Sequence, residues 1–195
     1  MLNECRQIVA VGALVIAGLM AAAGAHAQAP ARGDSTIVVE KPNYVTIALE
    51  TTVNKPVADV WKRIGGYCTI SEWLQIAAGC KIVSGTDNEV GAVRSVAGEV
   101  LVGKTQYSYT YTQTVRAGRP YNLYHGTIEA RAASPTTTKL LYTLIYDNSM
   151  LPDDAARDKD KASRAAVFTR ALSNMKTLAE GGTLPPPPNP PAPGH

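Results

Sequence analysis

Almost the whole stretch from Cys80 to Asp147 is strand-like, and this feature most constrains the fold that the chain can adopt. Turn-like residues such as Ala97-Gly98 divide the stretch into short segments. Because the connections are short, the segments are expected to form an antiparallel meander rather than parallel crossover units. The predicted strands cover residues 80–84, 92–96, 99–102, 106–115, 123–132 and 139–147.

Residues 44–53 precede this stretch and predict a seventh strand. Apolar Val45, Ile47 and Leu49 alternate there with other side chains, which is the period-2 pattern of a half-buried strand. The pattern then changes to that of a short helix, with Asn54 as a good N-cap and Gly65-Gly66 as its end. A second short helix is predicted over residues 70–77.

One long amphipathic helix is predicted over residues 153–180. Its apolar stripe consists of Ala165, Phe168, Leu172, Met175 and Ala179, with Arg164, Arg170 and Lys176 turned away. Together the elements predict an α+β fold, in which a curved seven-stranded antiparallel sheet packs on this terminal helix. We expect the side chains to leave a mostly apolar space between helix and sheet.

The two ends of the chain differ from this core in composition. Ala25-His26-Ala27 follows an apolar run and fits the pattern that signal peptidase accepts, so cleavage is expected before Gln28. An uncleaved membrane anchor is the alternative, although the run is slightly short for the ~20 residues of a spanning helix. The mature protein is expected to be periplasmic or secreted, without a stable membrane anchor. The predicted organisation is a signal peptide at 1–27, a flexible leader at 28–42, one domain at 43–182 and a proline-rich disordered tail at 183–195.

Cys68 and Cys80 are the two cysteines that remain after cleavage. In an oxidising compartment a single structural disulfide is the expectation, with free thiols or a redox or metal role as the alternatives. The mature chain has no metal-ligand cluster or phosphate-binding loop of recognisable spacing, so no cofactor or metal is expected. The formal net charge of +3 is spread along the chain, which argues against a nucleic-acid partner. The oligomeric state stays open.

The order of several short motifs resembles that of one known superfamily. Residues 56–61 (Pro-Val-Ala-Asp-Val-Trp), Trp73, Cys80 and residues 91–94 (Gly-Ala-Val-Arg) follow one another as in the SRPBCC superfamily, also called START or Bet v 1-like. Within it the chain is similar to the bacterial polyketide cyclase/dehydrase and lipid-transport-like group. The resemblance implies a helix-grip fold, in which the sheet wraps around the terminal helix and encloses a cavity for a small hydrophobic or aromatic ligand.

Three tyrosines and one charged pair are candidates for contact with a ligand. Tyr107, Tyr109 and Tyr111 share one face of a strand, and this face either lines the cavity or lies outside. Arg94 and Glu99 flank a tight turn. They either pair for structural reasons, or Arg94 holds a carboxylate or an enolate-like oxygen of a ligand while Glu99 limits its freedom.

His125 is the only histidine of the predicted domain and the best available proton shuttle. The alternative is an ordinary strand histidine that is hydrogen-bonded to a neighbour. Alternation places it on one face with Leu123 and Thr127. The remaining predicted ligand-binding residues are Trp73, Tyr142, Phe168 and Leu172.

Two functions remain open on the sequence alone. The first is an exported binding or carrier protein for a small hydrophobic or aromatic ligand. This function is favoured because the sequence contains few residue patterns that are typical of catalytic sites. The second is a cofactor-free cyclase, dehydratase or lyase acting on an aromatic or polyketide-like substrate. There His125 and Tyr109 would move protons, and Arg94 would stabilise developing negative charge. An interaction role for the proline-rich tail ranks last.

Overall fold

A computed structural model describes residue 39, residues 41–115 and residues 118–187. The predicted signal peptide, most of the predicted leader and residues 188–195 of the tail lie outside the described residues. Among the residues described, no helix combines the length and the apolar character needed to cross a bilayer.

Seven strands form one antiparallel sheet, as predicted. In chain order they are β1 (Tyr44–Val53), β2 (Ile82–Ser84), β3 (Val93–Arg94), β4 (Glu99–Thr105), β5 (Ser108–Gln113), β6 (Asn122–Ser134) and β7 (Thr137–Asp147). Their spatial order is β1-β7-β6-β5-β4-β3-β2, so every neighbour except the β1–β7 pair is also consecutive in sequence. The meander is therefore closed at one side by the first strand, which pairs with the last.

In the described part of the chain, three α-helices and a short 3-10 helix (Tyr67–Thr69) accompany the sheet. The α-helices are α1 (Val57–Ile64), α2 (Ile70–Trp73) and α3 (Asp154–Ala179). The side chain of Asp153 caps α3 by accepting a hydrogen bond from the backbone N–H of Ala156 at 2.8 Å. Helix α2 is shorter than predicted because Gln75 adopts a left-handed φ of 55°, which ends the helical run.

The sheet curves around α3 and buries one face against it, which is the helix-grip arrangement. Strand residues alternate between buried and less buried positions along β5, β6 and β7, so each strand presents every second side chain to the interior. From α3, the side chains of Phe168, Leu172 and Met175 meet this face. The predicted α+β fold is confirmed.

Candidate ligand-binding site

A pocket of about 400 Å³ lies between the C-terminal end of α1 and the β4–β5 hairpin. Its size falls within the range of small-molecule sites. It is lined by Trp61, Gly65, Gly66, Asn88, Leu101, Lys104, Thr105, Gln106, Ser108 and Tyr109.

The apolar part of this pocket is built from Trp61, Tyr109 and Leu101. The rings of Trp61 and Tyr109 lie 6.0 Å apart and are tilted by 57°. Gly65 is required here, since a Cβ at this position would approach the indole of Trp61 to 2.4 Å. The glycine that ends α1 therefore also lets an aromatic ring lie against the backbone at the pocket wall.

The polar rim of the pocket is tied to the loop between β2 and β3. Lys104 Nζ donates to the carbonyl oxygen of Asn88 at 2.7 Å and contacts the Glu89 carboxylate at 3.0 Å. The side-chain oxygen of Asn88 accepts from the backbone N–H of Tyr67 at 2.7 Å. Lys104 is the only charged residue among those that line the pocket.

A buried ion pair lies inside the sheet, next to the pocket residue Tyr109. Arg94 and Glu99 sit opposite each other on β3 and β4, and both are almost completely buried. Arg94 Nε donates to Glu99 Oε2 at 2.7 Å, and its Nη2 contacts the same oxygen. Arg94 Nη1 donates to the carbonyl oxygen of Tyr67 at 2.6 Å, and Gln113 Nε2 donates to Glu99 Oε1 at 2.9 Å. The pairing expected across the tight turn is thus present, with both partners further held by hydrogen bonds.

Burial and the neighbouring charge shift the pKa of each member of this pair in opposite directions. Burial raises the pKa of the Glu99 carboxyl above its ordinary value, although Arg94 and the hydrogen bond from Gln113 oppose the shift. Burial lowers the pKa of Arg94, but Tyr109, Glu99 and Tyr111 outweigh it and raise the pKa above its ordinary value. The guanidinium therefore stays charged, and Glu99 is its counterion.

The phenols around Arg94 form an aromatic enclosure. The Cζ atom of Arg94 lies 4.3 Å from the ring centroid of Tyr67 and 4.7 Å from that of Tyr111, within cation–π range. Burial raises the pKa of Tyr67 and of Tyr109 against the opposing effect of Arg94. Both phenols are therefore neutral at physiological pH.

The space between α3 and the middle of the sheet is filled by aromatic side chains. Tyr142 stacks on Phe168 at a centroid distance of 4.5 Å, and Trp73 meets Tyr142 edge-on at 6.4 Å. The hydroxyls of Tyr111 and Tyr142 hydrogen-bond to each other. These large rings occupy the space between α3 and the middle of the sheet, whereas a small pocket is present between α3 and β1. The larger pocket lies instead beside the β4–β5 hairpin.

The two predicted ligand-binding residues of α3 do not line the larger pocket. Phe168 belongs to the aromatic packing just described. Leu172 lines a smaller pocket of about 210 Å³ between α3 and β1, together with Leu49 and Lys176 among others. Trp73 and Tyr142 likewise lie in the packed interior, and both are fully buried.

His125 lies on the outer face of the sheet. It sits between the buried Tyr124 and Gly126 of β6, and its register partners are Thr112 and the partly exposed Ile145. Its Nδ1 is 2.8 Å from the carbonyl oxygen of Leu123. The structure therefore does not bring His125 together with Arg94 and Tyr109, because strand alternation directs it away from them.

Two of the three tyrosines predicted to share a face point into the interior. Tyr109 and Tyr111 are buried on β5. Tyr107 lies in the turn before β5, and its hydroxyl accepts a hydrogen bond from Gln106 Nε2 at 3.0 Å on the exposed side. The strand begins two residues later than predicted, and this removes Tyr107 from the set.

A second aromatic enclosure surrounds Arg164 and was not predicted. The Cζ atom of Arg164 lies 4.6 Å from the ring centroid of Tyr121 and 4.7 Å from that of Tyr146. Asp160, one helical turn earlier, binds Arg164 and accepts from the Tyr146 hydroxyl at 2.8 Å. The expectation that Arg164 turns away from the sheet was wrong. The acidic residue at i−4 was the available signal, since it offers a counterion to an arginine that folds back onto aromatic rings.

Cys68 and Cys80 form a disulfide, as predicted. The bridge joins the turn that carries Tyr67 to the chain segment that leads into β2. In the part of the chain that the structure describes, no group of three or more His, Cys, Asp or Glu side chains is placed to hold a metal ion.

Comparisons with known proteins agree on the architecture. The sequence matches no protein-family model and no curated protein. Among solved structures, norcoclaurine synthase from Thalictrum flavum aligns with a TM-score of 0.56 at 10% identity, over 75% of this chain and 99% of that one. The Zhui aromatase/cyclase from Streptomyces aligns with a TM-score of 0.54 at 16% identity, over 72% of this chain and 100% of that one. A major latex-like protein from Panax ginseng aligns with a TM-score of 0.54 at 12% identity, over 69% of this chain and 96% of that one.

These likenesses extend over nearly the full length of each solved structure, but their low identities carry information on the fold alone. The two named as enzymes and the latex-like protein share one architecture, so the architecture does not select a function. What the alignments and the observed topology establish together is that this chain has the helix-grip fold that these three solved structures share.

Proposed function

We propose that the chain is an exported protein that binds a small aromatic molecule in the pocket between α1 and the β4–β5 hairpin. The observation that carries the proposal is the chemistry of this pocket: an indole, a phenol ring and a leucine form its apolar part, and polar side chains form its rim. Small-molecule sites typically combine an apolar lining with a few polar groups that fix orientation.

Binding is favoured over catalysis by the state of the nearest ionisable groups. Arg94 and Glu99 neutralise each other, and burial keeps Tyr67 and Tyr109 protonated. A general base needs a pKa near the working pH and a position within reach of the ligand. His125, the proton shuttle that the sequence suggested, lies on the outer face of the sheet.

The direct test uses the two tryptophans as internal reporters. Trp61 lines the pocket, whereas Trp73 is buried in the aromatic packing under α3. In nitrogen-labelled protein each indole N–H gives its own NMR signal, and tetralin, a small aromatic hydrocarbon, serves as the probe. We expect saturable movement of the Trp61 signal with little change at Trp73. The proposal is overturned if neither signal moves or if Trp73 alone responds.

A pocket-filling variant makes this test specific. Ser108→Phe places a ring at the pocket wall and is expected to reduce tetralin affinity at least tenfold. The matched control is Thr136→Phe in the exposed β6–β7 turn, which leaves affinity unchanged. Equal binding by both variants would show that tetralin does not occupy this pocket. Incubating the protein with an aromatic β-hydroxy ketone tests the alternative, since loss of water without an added cofactor would indicate a dehydratase.

The export part of the proposal rests on the signal-like sequence at residues 1–27. We expect protein expressed in a bacterial host to be recovered from the periplasm or medium with Gln28 as its first residue. N-terminal sequencing measures this directly. An intact N-terminus in a membrane fraction would instead indicate an uncleaved anchor.

A further inference from the structure

Lys104 is the cation that a ligand in the pocket can reach. It lies on β4 at the polar rim and is the only charged residue among those that line the pocket. Its side chain is 39% exposed, so other side chains do not seal it off from a ligand. Arg94, the other cation beside the pocket, is fully buried and therefore closed to such a contact.

The ammonium group of Lys104 has hydrogen-bonding capacity to spare. It donates to the carbonyl oxygen of Asn88 and to the Glu89 carboxylate, and these are its two partners among the described residues. Because a lysine ammonium carries three protons, one is left for a ligand. The flexible four-carbon stem lets this group turn towards a ligand without a change in the backbone.

Glu89 holds Lys104 only weakly. The Glu89 side chain is 60% exposed and is not among the residues that line the pocket. Exposed ion pairs contribute little stability, because water competes with both partners. A carboxylate whose ring is bound in the pocket would stay close to Lys104, and this high effective concentration favours it as a competitor. Glu89 remains hydrated when Lys104 leaves it.

The side chain of Asn88 adds a second donor to the same rim. Its amide oxygen accepts from the backbone N–H of Tyr67 at 2.7 Å, so the amide NH2 group is what remains for a ligand. Gln106 offers both a donor and an acceptor and therefore does not select a ligand. The ammonium and the Asn88 amide together favour a ligand group that carries negative charge and accepts hydrogen bonds.

We infer that the pocket prefers aromatic acids, with the ring against Trp61 and Tyr109 and the carboxylate bound by Lys104 in competition with Glu89. An ionised carboxylate only accepts hydrogen bonds and so matches the donors at the rim. The inference rests on the proposed function, because it specifies the ligand class of the same pocket. It moves the carboxylate-binding role from Arg94, which the sequence suggested, to a lysine that the sequence analysis did not single out.

Two derivatives of tetralin with one substituent on the aromatic ring test the inference, namely the carboxylate and the carboxamide. They have nearly the same shape, but only the first is charged at neutral pH. We expect the wild-type protein to bind the carboxylate about fivefold more tightly, at the upper end of the effect of an exposed ion pair. Calorimetric titration gives the affinities, and the Trp61 indole signal confirms the place of binding. The preference should shrink in about 0.5 M salt, since exposed charges are screened.

Matched lysine variants identify the cation. Lys104→Met is expected to bring the preference for the carboxylate over the carboxamide close to one. Lys139 is the matched control, because it is 50% exposed, pairs with Glu50 at 2.8 Å and is not among the residues that line the pocket. Lys139→Met removes the same charge from the protein and should keep the fivefold preference. Circular dichroism checks that both variants fold.

Glutamate variants test the competition. Glu89→Gln removes the carboxylate that holds Lys104 and is expected to raise the preference about twofold. Glu50→Gln, which changes the control ion pair, should leave the preference as it is in the wild-type protein. A lower preference in Glu89→Gln would contradict exchange of Lys104 between the two carboxylates.

The outcomes separate this inference from the proposed function. If the carboxamide moves the Trp61 signal but the carboxylate binds no more tightly, the inference is overturned and the pocket assignment stands. The same holds if Lys104→Met keeps the full preference, or if Lys139→Met abolishes it equally. If neither derivative nor tetralin affects the Trp61 signal, the pocket assignment itself fails.

Discussion

The packed interior under α3 and the pocket beside the β4–β5 hairpin are built from the same kinds of side chain but differ in how they are filled. Under α3, Tyr142 stacks on Phe168 at 4.5 Å. At the hairpin, Trp61 and Tyr109 are 6.0 Å apart and border about 400 Å³ of open space. A curved sheet around a helix thus does not by itself create a cavity, because the volume of the inward side chains decides where space remains.

Both regions contain buried polar groups whose protons have no acceptor. In the interior, Tyr111 and Tyr142 bind each other through their hydroxyls, and Tyr146 donates to Asp160. The indole N–H of Trp73, in the same interior, has no partner in the described part of the chain. Beside the pocket, the hydroxyl protons of Tyr67 and Tyr109 likewise have no acceptor there, so the two regions differ in the space left between their side chains rather than in the pairing of their polar groups.

Alkaline pH is expected to have the largest effect, and it acts on the buried tyrosines of both regions. Burial raises the pKa of six tyrosines, namely Tyr67, Tyr109, Tyr111, Tyr124, Tyr142 and Tyr146. Their contribution to stability is complete below pH about 10, the ordinary tyrosine value, and is lost as the pH rises towards the raised values. Each buried phenol costs up to about 1.4 kcal/mol per pH unit in this range.

We therefore expect the whole domain to unfold within about two pH units above the ordinary tyrosine pKa, since domains are stable by about 5–15 kcal/mol. Circular dichroism reports unfolding, and phenolate absorbance reports ionisation. Unfolding should coincide with ionisation of the buried tyrosines. Gradual ionisation of all tyrosines with native circular dichroism would show that the interior is open to solvent.

Arg94→Met is expected to destabilise the protein by about 3–5 kcal/mol, because the Glu99 carboxylate would stay buried without its counterion. Urea unfolding gives the free energy. The double variant Arg94→Met/Glu99→Leu removes both charges and should recover most of this loss. A single variant as stable as wild type would show that the pair is not isolated from water.

Gly126→Ala tests how tightly the interior is filled. A Cβ at Gly126 would lie 2.3 Å from the Tyr111 ring, so that ring must move, at an expected cost of about 1–3 kcal/mol. Gly103→Ala is the matched control on β4, two strands away in the same sheet, where the nearest atom to a Cβ is Thr110 Cβ at 4.0 Å. Gly103→Ala is expected to raise the free energy of unfolding by about 0.5–1 kcal/mol. Equal effects of the two substitutions in thermal unfolding would contradict a close-packed interior.

Lys104→Met is expected to have the smallest effect, because it changes the open rim of the pocket. Its ion pair with Glu89 is solvent-exposed, and such pairs contribute about 0–1 kcal/mol. Affinity for the neutral probe tetralin should change by less than about threefold. A large loss of tetralin binding would show that this lysine holds the pocket together rather than bordering it.

Local patterns in the sequence predicted the fold well. The alternation in residues 44–53 coincides with β1, and the periodicity of residues 153–180 coincides with α3 to within one residue at each end. The tight turn at Ala97-Gly98 has φ values of 52° and 63°, and it brings Arg94 opposite Glu99 as expected. These features depend on neighbouring residues, which is why they are visible in the sequence.

The place of the open space could not be predicted in this way, because it depends on contacts between distant residues. Tyr111 and Tyr142 are 31 positions apart, yet their paired hydroxyls help to fill the interior. The face that His125 occupies follows from alternation only once the buried face of β6 is known. Arg164 resembled an outward-facing charge because its tyrosine partners lie on strands β6 and β7 or just before them.

The most direct test of this account is a crystal structure of the protein with tetralin bound. We predict ligand density against Trp61 and Tyr109, with the stacked pair of Tyr142 and Phe168 unmoved. Density between α3 and the sheet, with Tyr142 and Phe168 separated to admit the ligand, would contradict the account.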